Sequence, residues 1–231
     1  SYDLKQVSSK GWHQDFPFFK SASIADSSFL KDTLSDKTYN LGKDWNPLAF
    51  SESGESQIDQ LIFAGYGLRL PEKSNFQGYD SYTHLDVKDK WVLCLRKLPT
   101  KWDQETKDQF YYHSTLRKKA SVARDLGAKG IIFISDNNES DGLVIPFNQS
   151  TREKISIQAL SISYELAVKI FSENSRNLVQ VFKTMESGNM SMGYTLDTKG
   201  FKSKIKILRN KGTCKNTIGY LKKKNTIIFL I

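Results

Sequence analysis

Two short apolar runs on either side of an amphipathic segment constrain this chain more than any other feature. Residues 90–98 (KWVLCLRKL) are a nearly continuous apolar stretch of strand length and the clearest strand in the sequence. Residues 115–126 (TLRKKASVARDL) come next, with Leu116, Ala120, Ala123 and Leu126 at spacings of three and four. A helix there is apolar on one face and cationic on the other. Gly127 stands where such a helix ends, and residues 130–135 (GIIFIS) then form a second apolar strand. A strand–helix–strand order of this kind is local α/β character.

The surroundings are mainly β. Residues 12–19 (WHQDFPFF) read as a strand in which Pro17 points to an edge position, and residues 21–46 are polar and hairpin-like. Residues 60–64 (QLIFA) form a buried strand stopped by Gly65-Tyr66-Gly67. Residues 159–163 are strand-like, residues 164–171 begin another helix, and residues 201–208 and 216–231 supply closing strands. The fold class expected is α+β, mainly β.

A net charge of +9 invites a nucleic-acid reading, and its distribution argues against one. All 25 acidic residues lie at or before Asp197, whereas ten of the 34 basic residues lie from Lys199 onward. Without those ten, residues 1–198 hold 24 basic against 25 acidic side chains. Within the basic tail Phe201, Ser203, Ile205 and Ile207 alternate with Lys202, Lys204 and Lys206, the pattern of a half-buried strand with a solvated lysine face. No aromatic stacking platform accompanies the charge, so no nucleic-acid partner is expected. No apolar run approaches the roughly 20 residues that cross a bilayer, so no transmembrane segment is expected.

The chain has two cysteines and three histidines. Cys94, inside an apolar run, reads as a buried thiol and Cys214, in a polar turn, as an exposed one; a bridge between them stays open. His13, His84 and His113 are far apart and none stands in an H-x-D or H-E-x-x-H arrangement, so neither a catalytic nor a metal-binding residue is assigned.

From Leu61 to Arg96 the sequence becomes specific. LIFAGYGLRLPE followed by YDSYTHLDVKDKWVLCLRKLP resembles the protease-associated (PA) domain found inside bacterial zinc aminopeptidases of the leucyl-aminopeptidase and glutamate-carboxypeptidase superfamily. Gly65, Tyr66, Gly67, Tyr79, Asp80, Tyr82, Asp86, Val87, Lys88 and Lys90 fall on the family pattern. Lys119, Ala120, Ala123, Gly127 and Ala128 match its helix-then-strand signature, and Asn216 to Leu221, with Gly219, resembles the step by which the chain re-enters the peptidase sheet. Structural roles are expected for these residues: backbone freedom at Gly65 and Gly67, packed rings with hydrogen-bonded hydroxyls at Tyr79 and Tyr82, and a turn closed by Asp86.

The resemblance implies a PA-type β-sandwich or open barrel with flanking helices, plus remnant strands of an α/β peptidase sheet. It divides the chain into an N-terminal peptidase strand (1–25), the PA domain with its lead-in (26–198) and returning peptidase strands (199–231). Residues 12–19 and 202–208 are then expected to pair as antiparallel neighbours. It also implies that zinc in the intact parent enzyme is bound beyond residue 231, by a His-x-Asp pair and later ligands, with no cofactor in this chain. The function implied is a non-catalytic module that covers the active-site cleft and shapes substrate access. Two alternatives remain: a stand-alone peptide- or protein-binding module, and part of an active zinc exopeptidase. The expected partners are a peptide substrate or the peptidase domain, with self-association possible through the apolar C-terminal strand, whose exposed face needs a cover. Arg69 is the candidate substrate contact, since guanidinium pairs well with carboxylate. A secreted, periplasmic or cell-envelope location follows the same analogy.

Overall fold

The computed structural model describes residues 5–6, 13–72, 78–98, 101–135, 144–151, 153–186, 192–217, 219–223 and 226–230, with side chains described only between 13 and 217. In chain order the first strands are β1 (Lys5–Gln6), β2 (His13–Ile24), β3 (Phe29–Asp32), β4 (Lys37–Tyr39), β5 (Trp45–Pro47) and β6 (Gly54–Phe63). They are followed by β7 (Arg69–Leu70), β8 (Tyr79–Asp80), β9 (Trp91–Leu95), helices α1 (Gln104–Ser114) and α2 (Leu116–Asp125), and β10 (Gly130–Ile134). Next come β11 (Gln158–Ile162), α3 (Tyr164–Glu173), α4 (Leu178–Glu186) and β12 (Tyr194–Ile205). Last are β13 (Ile207–Thr217), β14 (Gly219–Lys223) and β15 (Thr226–Leu230).

Eight strands form one sheet in the order β4-β3-β12-β6-β9-β10-β11-β5. Its two outer strands, β4 and β5, are consecutive in the chain and joined by a turn in which the Gly42 N–H donates to Trp45 O at 2.9 Å. The Trp45 indole also donates to Tyr39 O at 3.2 Å, so the edges are drawn together and the sheet curls into a nearly closed barrel. Strands β6, β9, β10 and β11 run parallel, and the rest of the sheet is antiparallel.

The parallel strands are apolar on both faces because both faces are covered. Trp91, Leu93, Ile132, Ile134, Leu160 and Ile162 point into a core shared with Ala167, Ile170 and Phe171 of α3 and with Leu178 and Met185 of α4. Val92, Cys94, Ile131, Phe133 and Ala159 point the other way, onto Ala120 and Ala123 of α2. This is why WVLCL and GIIFI read as continuous runs and not as alternations. The helix expected at 115–126 is α2, capped by the Thr115 hydroxyl, with Gly127 just beyond its end at φ +85°.

The expected pairing of residues 12–19 with 202–208 needs correction. Trp12 lies outside the described residues; β2 does pair with the returning chain in antiparallel fashion, but its partner is β13, from Ile24↔Ile207 to His13↔Thr217. Residues 202–204 pair instead with β3 and β6 inside the barrel. The reason is burial: Phe201, Ser203 and Ile205 face the barrel interior, so the chain stays in the large sheet until Lys206 and only then enters the ribbon. Beyond the ribbon, β1 pairs with β14 and β14 with β15 in a second, three-stranded sheet. The side chains of β15, and with them the expected cover of its apolar face, lie outside the described residues.

Candidate functional site

Parallel strands end together, and the loops that leave their C-terminal ends are where α/β sheets place ligands. Here those ends carry Gly65-Tyr66-Gly67 after β6, Arg96-Lys97-Leu98 after β9 and Ser135 after β10. Tyr66, Arg96, Lys97 and Leu98 line a shallow cleft there, closed on its far side by Phe182 and Glu186 of α4. The ribbon lies at the opposite end of the barrel, because Ile205, the last residue of β12, is paired with Gly54, the first of β6.

The glycines make this rim possible. Gly65 and Gly67 have φ of +53° and +64°, a region that side chains resist. A Cβ on Gly67 would stand 3.0 Å from both the Cβ and the Sγ of Cys94, and one on Gly65 would stand 3.0 Å from Met185 Cε. Tyr79 lies beneath the same turn, its hydroxyl 3.6 Å from where a Cβ on Gly65 would stand, and burial raises its phenol above the ordinary value. Tyr82 is buried as expected, but its hydroxyl has no hydrogen-bond partner among the described residues. It is turned into the apolar Gly67–Cys94 contact, and burial pushes the phenol well above its ordinary value.

The acidic signature residues build turns. Asp80 accepts the Tyr82 N–H at 2.8 Å through Oδ1 and pairs with Arg69 Nε at 2.9 Å through Oδ2. Asp86 accepts the Lys88 N–H at 3.2 Å and the Lys90 ammonium at 2.9 Å, closing the turn before β9. That lysine bond, with the Lys88 amide, holds the Asp86 carboxyl below the usual range. Arg69, the candidate substrate contact, thus sits on the β7–β8 hairpin in an exposed ion pair across the two strands and outside the lining of the cleft.

Lys119 is fully buried. Its ammonium donates to Leu95 O at 2.9 Å, Arg96 O at 3.0 Å and Lys97 O at 3.4 Å. Burial pulls this amine down to about 8, against the opposing influence of the neighbouring Cys94. Beside it Cys94 is a free thiol pushed up by burial to about 12, and Cys214 is free and half-buried on β13. Asn216 lies at the far end of the ribbon, opposite Gln14, and Gly219 opposite Gln6 in the three-stranded sheet.

Zinc does not fit the described residues. His13 lies on β2 against Thr217 at 3.3 Å, His84 occupies a turn after β8 at φ +66°, and His113 ends α1 against Phe110 and Tyr112. Three imidazoles on three separate elements do not converge on one ion. Among the described residues no group of three histidine, cysteine or carboxylate side chains is placed to hold a metal. The cleft residues Arg96, Lys97, Phe182 and Glu186 were not singled out from sequence. Their one local signal is a basic pair ending the strongest strand.

The family model of the PA domain matches residues 59–170. No curated protein sequence matches the chain. Among solved structures, the aminopeptidase from Aneurinibacillus sp. strain AM-1 is 14% identical with a TM-score of 0.43, over 97% of this chain and 40% of that one. The zinc aminopeptidase BSAP from Bacillus subtilis, in two structures, is 18% and 19% identical with TM-scores of 0.41, over 93% of this chain and 38% of that one. This chain therefore spans about 40% of the length of the structures it resembles. Residues 59–170 are a PA domain.

Proposed function

We propose that the barrel is a non-catalytic module inserted in a zinc-dependent aminopeptidase, where it shapes which peptides reach the active site. One observation carries this reading: the chain enters and leaves the barrel side by side. Residues 13–24 and 207–217 form a single antiparallel ribbon, and beyond it Lys5 and Gln6 pair with Tyr220 and Gly219. This is the arrangement that an insertion between two neighbouring strands of another sheet would have. The PA match and the sequence resemblance support reading the host as a peptidase. Zinc, in this reading, belongs to the host and polarises the scissile carbonyl or activates water there.

The test uses the intact aminopeptidase. Residues 25–206 are replaced by an Asn-Gly turn joining Ile24 to Ile207, which are already register partners. Hydrolysis of an aminoacyl p-nitroanilide should be retained, while the kcat/KM for ten-residue peptides relative to it should shift by about tenfold or more. An unchanged ratio, or loss of small-substrate hydrolysis, defeats the proposal.

A second reading, a peptide-binding module in its own right, is favoured by the cleft itself, which sets cationic Arg96 and Lys97 beside the Tyr66 and Phe182 rings. Saturable binding of short acidic peptides to this chain, abolished by Arg96→Glu, would support it. Binding that Arg96→Glu leaves intact would not.

A further inference from the structure

Successive carbonyls along a strand point to opposite sides. At the end of β9 three in a row, from Leu95, Arg96 and Lys97, converge on the one Lys119 nitrogen. The chain is therefore bent around the ammonium. The amides of the same bend point elsewhere: Leu95 N–H donates to Gly65 O at 2.8 Å, and Arg96 N–H to Ile134 O at 2.9 Å. An ammonium has three hydrogens and here meets three acceptors, all of them backbone. No carboxylate pairs with Lys119 among the described residues, so the buried charge is balanced by carbonyl dipoles. An apolar side chain would fill the space at less desolvation cost, but would leave three inward carbonyls unsatisfied. The outer side of this bend is the wall of the cleft that presents Arg96 and Lys97.

We infer that Lys119 is the positioning residue of this cleft: the Leu95–Lys97 carbonyls form a cation cradle that the lysine fills from α2, and filling it fixes how Arg96 and Lys97 are displayed. The inference rests on reading the cleft as a binding surface. The chemistry of the cradle makes a further demand. Once the side chain is shortened, the cradle should take a free primary ammonium of matching length.

Amide hydrogen exchange on the whole chain tests this without any cleft ligand. In Lys119→Met, which keeps the packing and removes the charge, Leu95 and Arg96 amides should exchange about tenfold faster or more, while Leu196 and Ser203 in β12 stay within about twofold. In Lys119→Ala, n-propylammonium should restore protection at the bend saturably, and n-propanol, of similar shape without charge, should not. Uniform acceleration across the barrel, an unmoved bend, or equal rescue by propanol overturns the inference. If neither variant folds in buffer, recovery of folded chain with propylammonium but not with propanol supports it, and equal recovery or none overturns it. Because the readout is backbone protection, a cleft that binds no peptide leaves the result standing.

Discussion

Cys94 and Lys119 lie side by side in the core and titrate in opposite senses. The thiol, ordinarily near 9.0, is pushed to about 12, so between those values the folded chain keeps a proton that the unfolded chain has lost. Its contribution is fully present below 9 and is lost as pH rises through that window. Lys119 sheds its proton at about 8 when folded and at 10.5 when unfolded, so its contribution rises with pH across that span. Urea titrations of Cys94→Ala should therefore show a smaller loss of stability than the parent chain between pH 9 and 11; an equal loss would mean that the thiol is not buried as described. Gly67→Ala should cost about 1–3 kcal/mol in the same assay, since it combines a left-handed backbone with a 3.0 Å approach to Cys94. Arg69→Ala should cost less than about 1 kcal/mol, because the Arg69 and Asp80 side chains are 52% and 36% exposed. A larger loss at Arg69 would reveal a role beyond that pair.

The elements legible in the sequence were those whose burial is one-sided or complete. α2 could be read because Ala120 and Ala123 are fully buried while Arg124 and Asp125 are solvated; β9 and β10 could be read because every residue in them is buried. α1 is silent in the sequence because only Phe110 of its eleven residues is buried, so no apolar stripe announces it. The cleft stayed hidden for a different reason. It is assembled from two loops, the ends of β9 and β10, and α4, and a basic pair at a strand end does not disclose which helix faces it. The alternation along β12 predicts a solvated lysine face, and the structure adds its counter-charge: Glu55 pairs with both Lys202 at 2.6 Å and Lys204 at 3.3 Å. The ribbon carries its own constraint at Gly212, where a Cβ would run into the Phe18 ring on the facing strand. Gly212→Val should speed amide exchange through residues 211–216 and leave the barrel amides unchanged. Equal acceleration in β9 and β10 would show that ribbon and barrel open as one unit.

At the scale of the molecule, the barrel is nearly closed and the ribbon is tied to its near end by several contacts. Ala25 N–H donates to Lys206 O at 2.9 Å where the strands part, and Arg209 Nη2 donates to Ala49 O at 2.8 Å. Phe19 also packs against the barrel core. Residues 17–211, which keep all three contacts, should therefore unfold in one cooperative transition on their own, checked by the coincidence of near-UV and far-UV circular dichroism. Separate transitions would mean that the second sheet is needed to complete the barrel. The ribbon has a mechanical consequence as well. A host that pulls on the chain at His13 and Thr217 loads the cross-strand bonds one pair at a time, from the open end inward, as a zipper is loaded and not as a sheared lap joint. Such a stem would peel at low force over a length of roughly 35 Å per strand before tension reached the barrel.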